Sequence, residues 1–347
     1  MKINLSRQAP RSKQGVLVLI MFIYMPCDFI MVRCLFMLNK LVLVRVDVGV
    51  SGFYGYLYTS KLVKTILVRA YPPLEEHFKP VRGSIPKLIH ITPLYENTSR
   101  GVKCIYSYAN CRPSAWMAKC TGPPRIIELN SNYYFYLGLH ESLVKHSDIV
   151  SALVNYNECF EFIKQRVCVE TMGIEVLNPH HIAEKIVEEA LKNKGVKIIF
   201  SSPTLLRDPL KTMRKHKTLL PTPINVFATP IYLQLHTTGT YRKAVFRRQL
   251  LRIHRLFNET YSILNTVRVK WVYYTDKPIP ALAGFANYRI DENYMKQLET
   301  HGVDVKKWLI EIFTHAITLG VGTGRATGFG HIEIKPLQAG KVESRLD

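Results

Sequence analysis

Lys61 and Lys64 lie three residues apart in a stretch, Thr59 to Tyr71, whose apolar positions at 62, 63, 66, 67 and 70 have helical spacing. The two ammonium groups therefore share one helix face. His77 follows shortly afterwards, and Lys87 opens the next apolar run. An imidazole exchanges a proton near neutral pH, and a lysine stabilises negative charge as it develops. A second cationic set is Arg242, Lys243, Arg247, Arg248, Arg252 and Arg255. Positions 248, 252 and 255 form one helical stripe, with Ala244 and Leu251 as apolar neighbours, so one face is expected to pack and the other to meet phosphate. A merely solvated helix carries both signs, whereas only cations occur here until Glu259.

The densest motif runs from Gly320 to Gly330, with glycines at Gly320, Gly322, Gly324, Gly328 and Gly330 and a cation at Arg325. Such a backbone can adopt positive φ, and its amides can hold phosphate oxygens. The loop follows a helix and precedes a strand, the reverse of a dinucleotide or P-loop fingerprint, and no GK[ST] is present. A tight helix-to-strand connection without a ligand is the competing reading. The whole chain has 47 Lys and Arg against 26 acidic residues, a net charge of +21, which favours a polyanionic partner, nucleic acid before membrane. Cys27, Cys34, Cys104, Cys111, Cys120, Cys159 and Cys168 contain no CxxC pair, so zinc spacing is absent and reduced cytoplasmic thiols are expected. An occasional disulfide within 104–120 stays open.

These groups need elements to position them. Leu41 to Val50 has strand composition, and Thr59 to Tyr71 is a helix stopped by Pro72 and Pro73. Strands follow at Lys87 to Ile91, Tyr133 to Leu139 and Val167 to Leu177, with a helix over Glu141 to Asn155. Residues 97 to 125, which include Arg112, Trp116, Lys119 and Arg125, have the composition of a long loop that offers a stacking ring among charges. Asn178 caps a helix over His180 to Asn193, and Val196 to Phe200 is the next strand. The second half repeats the theme: a helix over Thr240 to Leu264, a hairpin of Val267 to Tyr274 with Ala281 to Ile290, helices over Glu292 to Leu319 broken near Gly302, and a strand at His331 to Pro336. The expected fold is α+β, two tandem ferredoxin-like domains with a C-terminal glycine-rich loop. The expected boundaries are 41–206 and 224–347, joined by a basic linker at 207–223 that carries Lys211 and Arg214.

The pattern GxGxxxxxGFG before a last strand resembles the signature of the RAMP superfamily of CRISPR proteins. Val196 to Leu206 (VKIIFSSPTLL) resembles the end of the first domain in its crenarchaeal-type repeat endoribonucleases, and Pro86 to Thr92 is similar as well. The resemblance covers roughly residues 41 to 337. It implies binding of CRISPR repeat RNA and metal-independent cleavage of the precursor by the 2′-hydroxyl, leaving a 2′,3′-cyclic phosphate. No cofactor is implied. It also implies that His77 resembles the catalytic histidine, although the nine residues before Lys87 exceed the family spacing. Lys61 and Lys64 resemble the lysines of members that lack that histidine, and Lys87 the phosphate-contacting lysine; a histidine-led and a lysine-led site both stay open. Tyr56 and Tyr58 are backups for an acid or stacking role, and His90 is structural. The linker cations, Lys211 and Arg214 among them, would clamp an A-form stem through its backbone.

Two rivals remain. A RAMP subunit of an interference complex would bind RNA without cutting. A membrane-anchored protein would use the apolar run Val16 to Leu38, which Pro26, Asp28 and Arg33 interrupt. Residues 1–40 are expected to be a leader, with translation starting near Met31 or Met37, and the protein to be cytoplasmic. Further partners the resemblance admits are a second copy of the chain and the complex that receives the product.

Overall fold

The structure is a computed structural model that describes residues 40–79, 87–99, 101–113, 118–211, 217–261, 263–274 and 278–338. The expected leader and Arg214 lie outside the described residues. The chain opens with strand β1 (Leu41–Gly55), in which Val42, Val44, Val46, Val48 and Val50 are buried at strand periodicity. Helix α1 (Ser60–Ala70) buries Leu62, Val63, Ile66 and Leu67, the stripe its spacing predicts. The single turn α2 (Glu75–Phe78) follows. Then come β2 (Ile89–Ile91), β3 (Tyr95–Thr98), β4 (Gly101–Cys104), β5 (Tyr108–Ala109), β6 (Cys111–Pro113), β7 (Ala118–Cys120) and β8 (Ile127–His140). Helix α3 (His146–Val154), β9 (Asn157–Phe162) and β10 (Gln165–Leu177) complete the first sheet, ordered β4-β3-β8-β1-β10-β9 with β2 also on β8. All its pairings are antiparallel. The core sequence β10-β1-β8-β2 is the fourth, first, third and second strand of a split βαββαβ unit.

Helix α4 (Pro179–Lys192) is capped by Asn178, whose side chain accepts from the amides of His180 and His181. The second sheet is built from β11 (Gly195–Thr204), β12 (Phe257–Glu259), β13 (Val267–Tyr273), β14 (Pro278–Ile290) and β15 (Ile332–Pro336). Helices α5 (Pro223–Thr237) and α6 (Lys243–Leu256) separate β11 from β12, the short α7 (Ile263–Thr266) precedes β13, and α8 (Glu292–Thr300) and α9 (Val305–Leu319) precede β15. The order β15-β11-β14-β13-β5 repeats the split pattern, with β5 of the first half added at the edge.

Several expectations change. Strand β11, from before position 206, lies between β14 and β15, and Ala183, Val187 and Ala190 of α4 bury in the core beside the second sheet. Residues 207–223 therefore join a strand to a helix. The segment 97–125, expected as loop, forms the β3–β4 and β6–β7 hairpins and β5. Helix α5 had no sequence signal: it is buried on nearly every side and contains Pro230, so it shows no amphipathic stripe. The disulfide left open within 104–120 is present as Cys111–Cys120, whereas Cys159–Cys168 departs from the expected reduced thiols. Cys111 and Cys120, and likewise Cys159 and Cys168, sit directly opposite one another on paired strands and are joined as disulfides. Cys104 is free, and burial pushes its thiol pKa up. No helix among the described residues is long and apolar enough to cross a membrane.

Candidate functional site

The glycine-rich loop forms the seam between the two sheets. Its glycines at 320, 322, 324, 328 and 330 all have positive φ. The amides of Val321, Thr323, Phe329 and Gly330 donate to the carbonyls of Gly330, Leu205, Gly324 and Pro203. The loop's carbonyls receive the start of α1: Ser60 Oγ donates to Thr327 O at 2.6 Å, and Tyr58 Oη to Gly328 O at 2.8 Å. At Gly328 (φ +95°) an added Cβ would overlap Ser60 Cβ and fall 2.5 Å from its Oγ, so only glycine permits this approach. Among these glycines only Gly324 is exposed. The loop's visible work is thus packing between the two sheets, and most of it does not face outward to hold phosphate.

Arg325 departs furthest from its expected role. It is 8% exposed, and its guanidinium donates to Leu319 O at 2.7 Å and Lys87 O at 2.9 Å. Burial without an acidic partner lowers its pKa to about 10. It ties the loop to the start of β2 and does not offer a charge to solvent. His90 is fully buried, with Nδ1 3.0 Å from Arg325 O and its ring stacked on His331. Burial, then His331 and Arg325, hold its pKa well below the usual histidine range. Tyr58 is 1% exposed and stacked on Phe329, so it cannot stack on a ligand. Tyr56 is exposed and meets Tyr273 edge-on.

Beside this seam lies a cleft of about 550 Å³. Helix α1 supplies Ser60, Lys61, Lys64 and Arg69, the β9–β10 turn supplies Phe162 and Ile163, and the second unit supplies Tyr274 and Thr327. Lys61 Nζ lies 5.0 Å from the Tyr274 ring centre, and Lys64 Nζ 5.2 Å from that of Phe78. The lysine pair therefore does share a face, and that face opens into a cavity shared by both units. Lys87 is half-buried beside it and donates from Nζ to Phe78 O at 2.7 Å. Burial, then Lys64 and Arg325, lower its pKa. His77, on α2, does not line the cleft, although Glu75 one position before Glu76 does. Tyr274, Phe162 and Ile163 carry no signal in the sequence; they come together only through the packing of the two sheets.

The cationic helix packs in a register different from the expected one. Leu250, Ile253 and Leu256 are buried, while Ala244 and Leu251 are exposed. Arg242, Lys243, Arg247, Arg248 and Arg255 are exposed and Arg252 is half-buried; among the described residues none of them has an ion pair. Lys211 is exposed and 3.8 Å from Asp208. Arg125 donates to Tyr108 Oη at 3.2 Å; Trp116 lies outside the described residues.

The architecture defines a class: an α+β protein of two antiparallel sheets, each in split βαββαβ order, closed on one another by a glycine-rich seam. Among solved structures this arrangement is similar to Cas6. A Cas6 product complex superposes with a TM-score of 0.51 at 15% identity, covering 86% of this chain and all of that one. Thermus thermophilus Cas6 gives 0.47 at 14% identity over 85% and 98% of the two chains. A partial Cas6-RT-Cas1–Cas2 complex gives 0.47 at 11% identity over 86% of this chain and 46% of that one. No protein-family profile matches the sequence. No curated protein matches it either.

Proposed function

We propose that this protein is an endoribonuclease that binds CRISPR repeat RNA and cuts the precursor by attack of a 2′-hydroxyl on the adjoining phosphate, independently of metal. The observation that carries the reading is the inter-domain cleft lined by Lys61 and Lys64 with Lys87 beside it, in a chain of net charge +21. The Cas6-like fold supports it. The reaction needs a base for the 2′-hydroxyl, positive charge on the phosphorane and a proton for the leaving 5′-oxygen. Lys61 and Lys64 are assigned the charge. Lys87 is assigned proton transfer, because its surroundings favour the neutral amine more than water does. His77 is kept as the alternative acid or base, because it neighbours Phe78, which contacts both Lys64 and Lys87. The exposed cations of α6 are assigned to the RNA backbone. Product release to an interference complex belongs to the same proposal.

The test is a labelled repeat RNA incubated in excess EDTA, beside the same RNA with a single 2′-deoxy at the cut site. A discrete product in EDTA, abolished by the deoxy substitution, is expected. Tight binding of several repeats with no product would replace the nuclease by a non-cutting RNA-binding subunit. A product only with added divalent metal would refute the mechanism.

A further inference from the structure

The β9–β10 turn combines two unfavourable features at the lip of the cleft. Phe162 pairs with Gln165, so Ile163 and Lys164 alone make the reversal. Their φ values are +52° and +60°, the geometry for which hairpins prefer Asn-Gly. A β-branched residue in this region is strained. Ile163 is moreover 53% exposed, so core burial does not offset the strain. Backbone strain of this kind persists where the surroundings over-determine it.

Here they do. The Gln165 side chain accepts from Tyr54 N at 2.8 Å and donates to Tyr54 O at 2.8 Å, fixing the turn to β1. Arg69 of α1 donates from Nε to Glu158 at 3.0 Å, and Cys159 is bonded to Cys168 below the tip. The hairpin is thereby locked to the same helix that carries Lys61 and Lys64. Phe162 and Ile163 line the cavity together with Tyr274. Cations on α1 suit a phosphate, whereas an isoleucine, a phenylalanine and a tyrosine suit the flat face of a base. A paired base in an A-form stem has its faces covered by its neighbours, so the complementary ligand is unpaired.

We infer that the Phe162–Gln165 tip is a specificity element that packs against the base of an unpaired nucleotide held in the lysine cleft. This rests on the RNA-binding reading above. The experiment uses the full chain with repeat RNA blocked by one 2′-deoxy at the cut site, and a copy that is abasic at the adjoining unpaired position. The wild type is expected to bind the abasic copy about tenfold more weakly, the scale of one stacked base. Combined Ile163→Asn and Lys164→Gly changes relieve the strain, so the melting temperature rises while this tenfold difference disappears. Ile163→Ala, which keeps the native Lys164, provides a second variant and is expected to lose most of the difference. Retention of the full difference by both variants overturns the inference while leaving the RNA-binding reading intact. Failure of the wild type to bind any repeat RNA overturns that reading, and the inference with it.

Discussion

Substituting Gly328 with alanine strikes the seam between the two units at one atom. The new Cβ overlaps Ser60 Cβ and lies 3.1 Å from Tyr58 Cε1, at a φ of +95°. The backbone penalty is about 1 kcal/mol. Relief of the overlap must move Thr327 and Gly328 away from α1, weakening the bonds from Ser60 Oγ and Tyr58 Oη. Those bonds contribute about 1 kcal/mol each, and the displaced packing adds about 1–2. The total is about 4–5 kcal/mol. Unfolding a body of about 300 residues carries an entropy of about 0.6 kcal/mol/K, so the melting temperature should fall by about 6–8 °C. Gly239→Ala is the control: its φ is +67°, but nothing lies within 4 Å of the added atom. That variant should lose about 1 kcal/mol, or less than about 2 °C. Differential scanning calorimetry of both variants decides the matter. Equal shifts would mean that Gly328 is required only for its backbone angle, and that the close approach to Ser60 does not hold the units together.

Lys61→Ala and Lys64→Ala should each slow single-turnover cleavage by about a hundredfold while the melting temperature changes little, because both side chains are partly exposed at the cleft. His331 has a pKa lowered to about 4 by burial, against roughly 6.5 unfolded. Its contribution is therefore fully present above about pH 6.5 and is lost as pH falls towards 4, up to about 3 kcal/mol; thermal melts from pH 7 to 4.5 should show a flatter decline in His331→Phe. Under native non-reducing conditions iodoacetamide should leave Cys104, Cys111, Cys120, Cys159 and Cys168 unlabelled, and label all five after denaturation and reduction, as read by peptide mass spectrometry. Arg248→Ala with Arg255→Ala should reduce the slope of log affinity against log salt by about 1–2 for repeat RNA, and an unchanged slope would remove α6 from the interface.

What sequence reveals here follows from the range of the interactions. The strand periodicity of β1, the helical stripe of α1 and the Asn178 cap are local, and each is recoverable from spacing. The Lys61 and Lys64 pair is legible for the same reason. Helix α5 is not, since burial on nearly all sides erases the polar face by which a helix is recognised. Arg325 misleads in a different way: a cation among glycines has the composition of a phosphate loop, and only the three-dimensional path shows its donors meeting Leu319 and Lys87 carbonyls. Tyr274 is 213 residues from Lys61 in the chain, and no window of sequence joins them, although the ring and the ammonium are 5.0 Å apart. Cys159–Cys168 was hidden for a related reason, and Cys111–Cys120 was visible only as an open possibility within 104–120. Each bonded pair is separated by nine residues, and its meaning depends on a register that places the partners opposite one another.

The two residues of β5 have a consequence for how the chain acquires its form. Tyr108 and Ala109 belong to the first half by position, yet they pair with Val272 and Trp271 at the rim of the second sheet. During synthesis this short strand emerges long before its partner and must wait for it. Once β13 arrives, β5 covers part of an edge that would otherwise be open to strands from other molecules. Cutting the protein into its two sheets would expose that rim and leave β5 unpaired. The halves thus shield one another, and separately expressed fragments should aggregate more readily than the intact chain.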